Sequence, residues 1–373
     1  MFGNYEGKRK PSIFFFCCSQ GPPVEARYQY GIVPLAEGLA EIGIKCYSNV
    51  DYWHIDPHSS EYLFSSSDKV RPEDCDIVVL NDRWFRYGNA MPKSLFKKNR
   101  KYLTVYIDCA DGVFTRSFKP EWRRFDIIFK AHFNKRMLGV PKNMKPWAFG
   151  LTKRIISATN AGEPWGNRQS VFLSNFRVQH SLRKSAKDIL HPLLQSIFTI
   201  DTSTDAFEPP SEESALIEWK RTGRRHNPAY YPKLNQAQAI SCFGGHYAHR
   251  IANPILLRKV MNRFTILIPQ STMILCQWDS FRLWEAFSAG CLVFHVDLSQ
   301  EGCQLPVMPK NGDEYVGVDL KNPQKAWEWI TNLHPDFSEI AYRGRQWALA
   351  NFSPLAVAKR FLLELGYYNS QIA

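Results

Sequence analysis

The sequence predicts an α/β protein made of two doubly wound domains, and three observations carry that expectation. Short runs of Ile, Val, Phe and Leu recur along the chain, separated by segments whose apolar residues follow the helical period. The runs are nearly all apolar, as strands covered on both faces must be. The rhythm breaks once, in the polar, turn-rich stretch from Thr152 to Gln169, and then resumes. A chain of 373 residues is also longer than one core usually sustains, so two domains of roughly 150 to 200 residues are expected.

The elements follow in order. SIFFFCC is the first strand, and SQGPP turns the chain after it. In IVPLAEGLAEIG, Ile32, Leu35, Leu39 and Ile42 fall on one helical face. IKCYSNV, DIVVLND, YLTVYIDCADG and FDIIFKAHF are further strands, and KPWAFGL closes the set near Gly150. Strands alternating with helices imply right-handed crossovers and a parallel sheet. The first domain is therefore 1–151, the linker 152–169 and the second domain 170–337. The second domain runs through SVFLSNFR, a helical SLRKSAKDILHPLLQ, SIFTIDTS, a basic irregular stretch and RFTILIPQS. It continues with QWDSFRLWEAFSAGCLVF, EYVGVDL and the helix KAWEWITNL. Two amphipathic helices fill 338–373, the second with Ser353 as N-cap and Pro354 in its first turn.

Composition bounds the function classes. The chain carries 47 Lys and Arg against 35 Asp and Glu, a net charge of +12. That balance favours an anionic partner, whether a phosphorylated small molecule, an acidic membrane surface or nucleic acid, without choosing among them. Nine cysteines, an odd number with no C-x-x-C pair, read as reduced thiols in a cytoplasmic protein. His246 and His249 lack the second pair that a zinc site needs. The basic N-terminus before Ile13–Cys18 imitates a secretory signal, but the apolar part is too short. No apolar run approaches the roughly 20 residues of a membrane span, so the expectation is a soluble or peripheral protein.

Ligands of open α/β sheets sit beyond the carboxyl ends of the strands, so polar residues just after strands are the candidates. There is no G-x-x-x-x-G-K-[ST], and no G-x-G-x-x-G follows the first strand. What remains is anion binding by cations, hydroxyls and helix N-termini. The second domain supplies Arg177 at a strand end, Arg183 and Lys184 at one helix start, and Ser280 and Arg282 at another. Such a cluster suits a diphosphate. Glu285, on the same helix, either accepts from ribose hydroxyls or complements the helix dipole, and spacing does not choose.

The run DSFRLWEAFSAGCLVF resembles the signature of exostosin-type glycosyltransferases, and more loosely the E-A-x-A-x-G segment of transferases with two facing Rossmann-like domains, the GT-B fold. The tail GRQWALANFSPLAVAKRFLLEL resembles the closing helices of that class, which implies a last helix packed back on the first domain. The resemblance covers about a quarter of the chain, all in its second half. It implies a nucleotide-sugar donor held by Ser280, Arg282 and Glu285, with Arg177 and Lys184 matching a basic pair at the start of the second domain. FLSNFR lacks the glycine usual there, and the first domain carries no exostosin motif.

A transfer with inversion needs a base for the acceptor proton and a positive cradle for the leaving diphosphate. Asp108 and Asp111 in IDCADG lead as base candidates, followed by Glu25 and His132; Asp111 reads equally as an Asx turn before Gly112. Asp74 and Asp76 form D-C-D, but before a strand, so no metal is expected and no cofactor beyond the donor. The basic, aromatic stretch Trp219–Lys233 reads as an exposed loop, with contact to an acidic glycan or anionic membrane as the sharper alternative. The expected function is sugar transfer from a nucleotide-diphosphate sugar to a glycan, lipid-linked or small-molecule acceptor, without a nucleic-acid partner. The alternative is a non-catalytic α/β protein that binds nucleic acid or glycan through its basic surface.

Overall fold

A computed structural model describes residues 9–19, 27–56, 59–112, 115–159, 163–176, 181–204, 208–249 and 273–368. The first sheet holds β1 (Ile13–Phe16), β2 (Cys46–Ser48), β3 (Tyr52–His54), β4 (Tyr62–Ser66), β5 (Ile77–Asn81), β6 (Leu103–Asp108), β7 (Ile127–Lys130) and β8 (Met144–Pro146). Its spatial order is β3-β4-β2-β1-β5-β6-β7-β8, parallel throughout except for the β3–β4 pair. Central β1 pairs on both sides, with Ile13 opposite Cys46 of β2 and Ile77 of β5. The period of two sends Ile13 and Phe15 into one core and Phe14 and Phe16 into the other. Helix α1 (Val33–Glu41) covers the first of these, while short α2 (Asp82–Arg86) lies in the β5–β6 crossover.

Strands β3 and β4 escaped the sequence reading, because YWH and YLFSS are too short and polar to stand out. The last strand is shifted too, ending at Pro146 before the aromatic turn Trp147–Phe149.

Within 152–169, read as a linker, the chain forms α3 (Lys153–Ala158), capped by Thr152, whose Oγ1 accepts from the Ile155 N–H at 3.3 Å. The second sheet comprises β9 (Gln169–Leu173), β10 (Thr199–Asp201), β11 (Ala237–Ser241), β14 (Leu292–Val296) and β15 (Val316–Val318), in the order β10-β9-β11-β14-β15 and all parallel. A two-stranded antiparallel ribbon, β12 (His246–His249) with β13 (Met273–Cys276), stands beside it. Its central strand, β11, was not foreseen: AQAIS has small residues where a buried strand usually shows large ones. RFTILIPQS lies outside the described residues. The helices are α4 (Ser181–Leu194), α5 (Glu213–Arg221), α6 (Tyr231–Gln236), α7 (Phe281–Ala289), α8 (Pro323–Leu333), α9 (Phe337–Phe352) and α10 (Pro354–Glu364).

The two sheet units are stitched together at several places. Helix α10 returns to the first unit and packs on α1, where Gly38 lies so close that a Cβ would fall 1.8 Å from the Pro354 carbonyl oxygen. Ser353 occupies the N-cap position of α10, but its side chain makes no capping bond. Elsewhere, Asn134 and Cys303 form an antiparallel bridge, flanked by Lys135 N–H to Gly302 O at 2.8 Å and Gln304 N–H to Phe133 O at 2.9 Å.

Candidate functional site

The site grows from α7. Ser280 is its N-cap, extended at φ −134° and ψ 153°, with Oγ accepting weakly from the Leu283 N–H at 3.4 Å. At the other end Gly290 closes the helix in the left-handed region, φ 71°, which a β-carbon would strain. The helix therefore presents its positive end, the Ser280 hydroxyl and the Arg282 guanidinium on one side of the interlobe crevice.

These groups face a cavity of about 350 Å³. Among the described residues, four arginines line it, Arg183, Arg224, Arg225 and Arg282, against a single carboxylate, Glu285. Arg183 donates from Nε to the Phe243 carbonyl at 3.1 Å. Burial, reinforced by neighbouring Arg282, pushes its guanidinium down to about 10. The Nη1 of Arg282 is buried and makes no hydrogen bond among the described residues. Arg224 is exposed and the other three are half-buried, and clustered cations in this excess are stabilised by an anion of matching geometry.

Glu285 points inward from the middle of α7. Its Oε1 accepts from His226 Nδ1 at 2.7 Å and from the Tyr231 hydroxyl at 3.2 Å. Burial raises its carboxyl, but the His226 hydrogen bond, with the Arg154 and Arg282 charges beyond, outweighs burial and leaves it below its ordinary value. Burial also lowers His226, so the pair is a neutral imidazole donating from Nδ1 to a carboxylate. Arg154 extends the chain, donating to the Tyr231 hydroxyl at 3.1 Å.

Opposite stands the first unit. Phe281 stacks on Phe149 at 4.8 Å and meets Tyr30 edge-on at 4.8 Å. Asp279 bridges the units: Oδ2 accepts from Phe149 N–H at 3.0 Å, Oδ1 from Trp284 Nε1 at 2.6 Å, and its own N–H donates to His132 Nδ1 at 3.3 Å. Burial raises the Asp279 carboxyl to about 7, against those two bonds and Lys130. His132 is buried with φ 55°. Burial and then Lys130 hold it well below its ordinary value, so it is neutral. Because Nδ1 accepts, the proton resides on Nε2, which makes no hydrogen bond among the described residues and lies 4.0 Å from Asp111 Oδ1.

Four of the six expected donor-site residues thus converge: Arg183, Ser280, Arg282 and Glu285. Lys184 is exposed and does not line the cavity. Arg177 and Glu25 lie outside the described residues. Of the expected bases, Asp108 is fully buried; it accepts from the Thr115 hydroxyl and the Ala110 N–H at 3.2 Å, and pairs with Lys130 at 3.8 Å. Its lone pairs are engaged inside the first unit, a structural rather than an acceptor-facing position. Asp111 is 62% exposed beside the His132 imidazole. His132, expected as a base, carries its free nitrogen as a donor.

The stretch Trp219–Lys233 corrects the reading as an exposed loop. It spans the end of α5 and the start of α6, and Trp219, Thr222, His226, Tyr230 and Tyr231 are buried. Charge had been equated with solvent, yet Arg221 lies over the Trp53 ring at 3.9 Å and Arg225 over Tyr30 at 5.9 Å. The alternation of Arg, His and Tyr was the signal available for His226 and Tyr231. Asp74 and Asp76 sit before β5, at the strand ends away from the crevice, and bind Arg71, Arg9 and Ser12. No cluster of three His, Cys, Asp or Glu suited to a metal occurs among the described residues.

Neither a protein-family model nor a curated protein sequence matches the chain. Solved structures do. An α-glucosyltransferase in complex with UDP and a 13-mer DNA containing a central A:G mismatch superposes with a TM-score of 0.50 at 10% identity, covering 95% of this chain and 100% of that one. An α-glucosyltransferase (AGT) in complex with UDP gives 0.50 at 8% identity, again over 95% and 100%. The chain has the GT-B fold. A glycosyltransferase from Rickettsia africae ESF-5 follows at 0.49 and 10% identity, over 96% and 99%. In this GT-B chain the arginine-lined cavity lies where α7 begins, and Phe281 in its lining packs against Tyr30 and Phe149 of the other lobe. No helix among the described residues is long and apolar enough to cross a membrane.

Proposed function

We propose that the chain is a glycosyltransferase that moves a sugar from a nucleoside-diphosphate sugar to a glycan, lipid-linked or small-molecule acceptor. One observation carries the reading: among the described residues, four arginines and the N-terminal end of α7 surround a single carboxylate in one cavity of the second unit. When the acceptor hydroxyl oxygen attacks the anomeric carbon, the bond to the diphosphate breaks, negative charge grows on the departing oxygen, and the acceptor proton passes to the diphosphate. Arg183, Arg282, the Ser280 hydroxyl and the free N–H groups of α7 stabilise that charge. Cations in this role take the place of a metal, and metal independence is part of the proposal.

Glu285 is assigned to the ribose hydroxyls, with Oε1 fixed by His226 and Tyr231 so that Oε2 is aimed at the ligand. His132 is assigned as a hydrogen-bond donor to the transferred sugar, with Asp111 beside it toward solvent. The similar structures whose names include UDP support the donor class. DSFRLWEAFSAGCLVF supports placement near the exostosin-like transferases.

The test is thermal stabilisation by UDP, GDP, ADP and TDP. One diphosphate should raise the melting temperature selectively, and Arg282→Ala should abolish the rise. An equal response to every polyanion, steeply reduced by salt, would instead mark a general anion binder.

A further inference from the structure

The charge of the chain is not spread evenly. Residues 83–145 hold sixteen Lys and Arg against four Asp and Glu, a surplus equal to the whole net charge, so the rest of the sequence is neutral in sum. This segment comprises the crossovers β5 to β6, β6 to β7 and β7 to β8. All three lie on one face of the first sheet, because Leu95, Trp122 and Phe133 share a core with Phe14, Phe16 and Tyr106, whereas α1 shares the opposite core with Ile13 and Phe15. The cover on this face is thin, consisting of five-residue α2 and 3₁₀ turns at Lys93–Phe96, Arg116–Phe118 and Pro120–Arg124.

The cations on it face water. Arg86, Arg116 and Lys119 follow the strand ends at the crevice, and Lys98, Lys101 and Arg123 lie near the strand starts opposite; all are exposed. Lys142, before β8, is exposed as well. None of these forms an ion pair among the described residues, unlike Lys97 with Glu73 and Lys145 with Glu364. The exposed carboxylates of the segment are Asp111 and Glu121.

We propose that this face docks on an anionic lipid bilayer. Three features favour a membrane over a dissolved polyanion. The cations follow β5 and β6 and precede β6, β7 and β8, so they spread over an area about 15 Å by 20 Å, where a linear polymer would be met by a single track. The rings of Phe85 and Phe96 lie under the Arg116 and Arg124 guanidiniums at 5.3 and 4.3 Å, so these two are not bare platforms for nucleic-acid bases. Leu138 is 46% exposed in the segment bearing Lys135 and Lys142, an apolar tip suited to the headgroup boundary. Docking this way sets the crevice rim, at Arg86 and Arg116, against the lipid surface. The proposal stands apart from the transferase reading, since it concerns adhesion and not turnover.

The test is co-sedimentation of the full chain with phosphatidylcholine vesicles, with and without phosphatidylglycerol. Binding should require phosphatidylglycerol and weaken with salt. Reversing Lys98, Lys119, Arg123 and Lys142 to Glu together should weaken it at least tenfold, given the contribution of each basic side chain near such a surface. The melting temperature and its rise with UDP should stay as in the parent chain, which separates this outcome from misfolding and from any failure of the donor site. Absence of binding by the parent chain, undiminished binding by the fourfold variant, or tighter binding of duplex DNA or polygalacturonate than of vesicles at equal ionic strength would overturn the proposal.

Discussion

His226 Nδ1 stands 2.7 Å from Glu285 Oε1, two buried groups far apart in sequence that fix each other's protonation. The imidazole stays neutral because it is buried, and the carboxyl stays charged because the imidazole donates to it. A carboxylate held in this way keeps one oxygen oriented without rotating.

Removing the imidazole tests the pair. His226→Ala should cost about 2 to 3 kcal/mol in chemical denaturation, the range for losing a hydrogen bond to a buried charge. It should also weaken binding of the stabilising nucleoside diphosphate in calorimetric titration. His226→Gln, which keeps a donor, should recover part of both.

Asp279 predicts a pH dependence. Its folded value, about 7, lies above the ordinary 3.8, so the unfolded chain loses its proton first as pH rises. Stability from this group is full below 3.8 and declines up to about pH 7, by roughly 4 kcal/mol in total. Asp279→Asn cannot titrate. The stability difference, variant minus parent, should therefore climb between pH 4 and pH 7 in denaturant melts, whatever its sign at either end.

Gly38 should tolerate no side chain. A Cβ would meet the Pro354 carbonyl oxygen at 1.8 Å and its carbon at 2.3 Å, and backbone in a helix start yields little. Gly38→Ala should destabilise by about 1 to 3 kcal/mol, and limited proteolysis should cut near Ser353 faster than in the parent chain.

His132 should behave as a donor. With burial keeping it neutral, turnover should show no inflection near the ordinary histidine value of about 6.5 traceable to this residue. His132→Ala should lower kcat by an order of magnitude or more with a smaller change in KM. His132→Gln, which keeps an N–H donor, should lose less; a variant with an altered acidic limb in its pH profile would instead indicate a base.

Much of the fold was legible from local signals. The mainly apolar runs IFFF, IVVLN and LVFHV announced buried parallel strands, and Ser280 with Gly290 bracketed α7, because caps and periods are written within a few residues. The short strands YWH and YLFSS and the small-residue strand AQAIS were missed for the same reason. What makes them strands is pairing with distant neighbours, which leaves little local trace.

The sequence by itself determined that two α/β sheets would form, that helix starts bearing Ser280, Arg183 and Arg282 would follow strands, and that the chain would carry a surplus of positive charge. Only the tertiary structure decided which cations share a cavity, that Asp108 is locked to Lys130 and Thr115, that His226 holds Glu285, and that the surplus charge collects on one face. These relations join residues dozens to hundreds of positions apart. Burial and hydrogen bonding, which set protonation and orientation, depend on distance through space, and that distance exists only once the chain has folded.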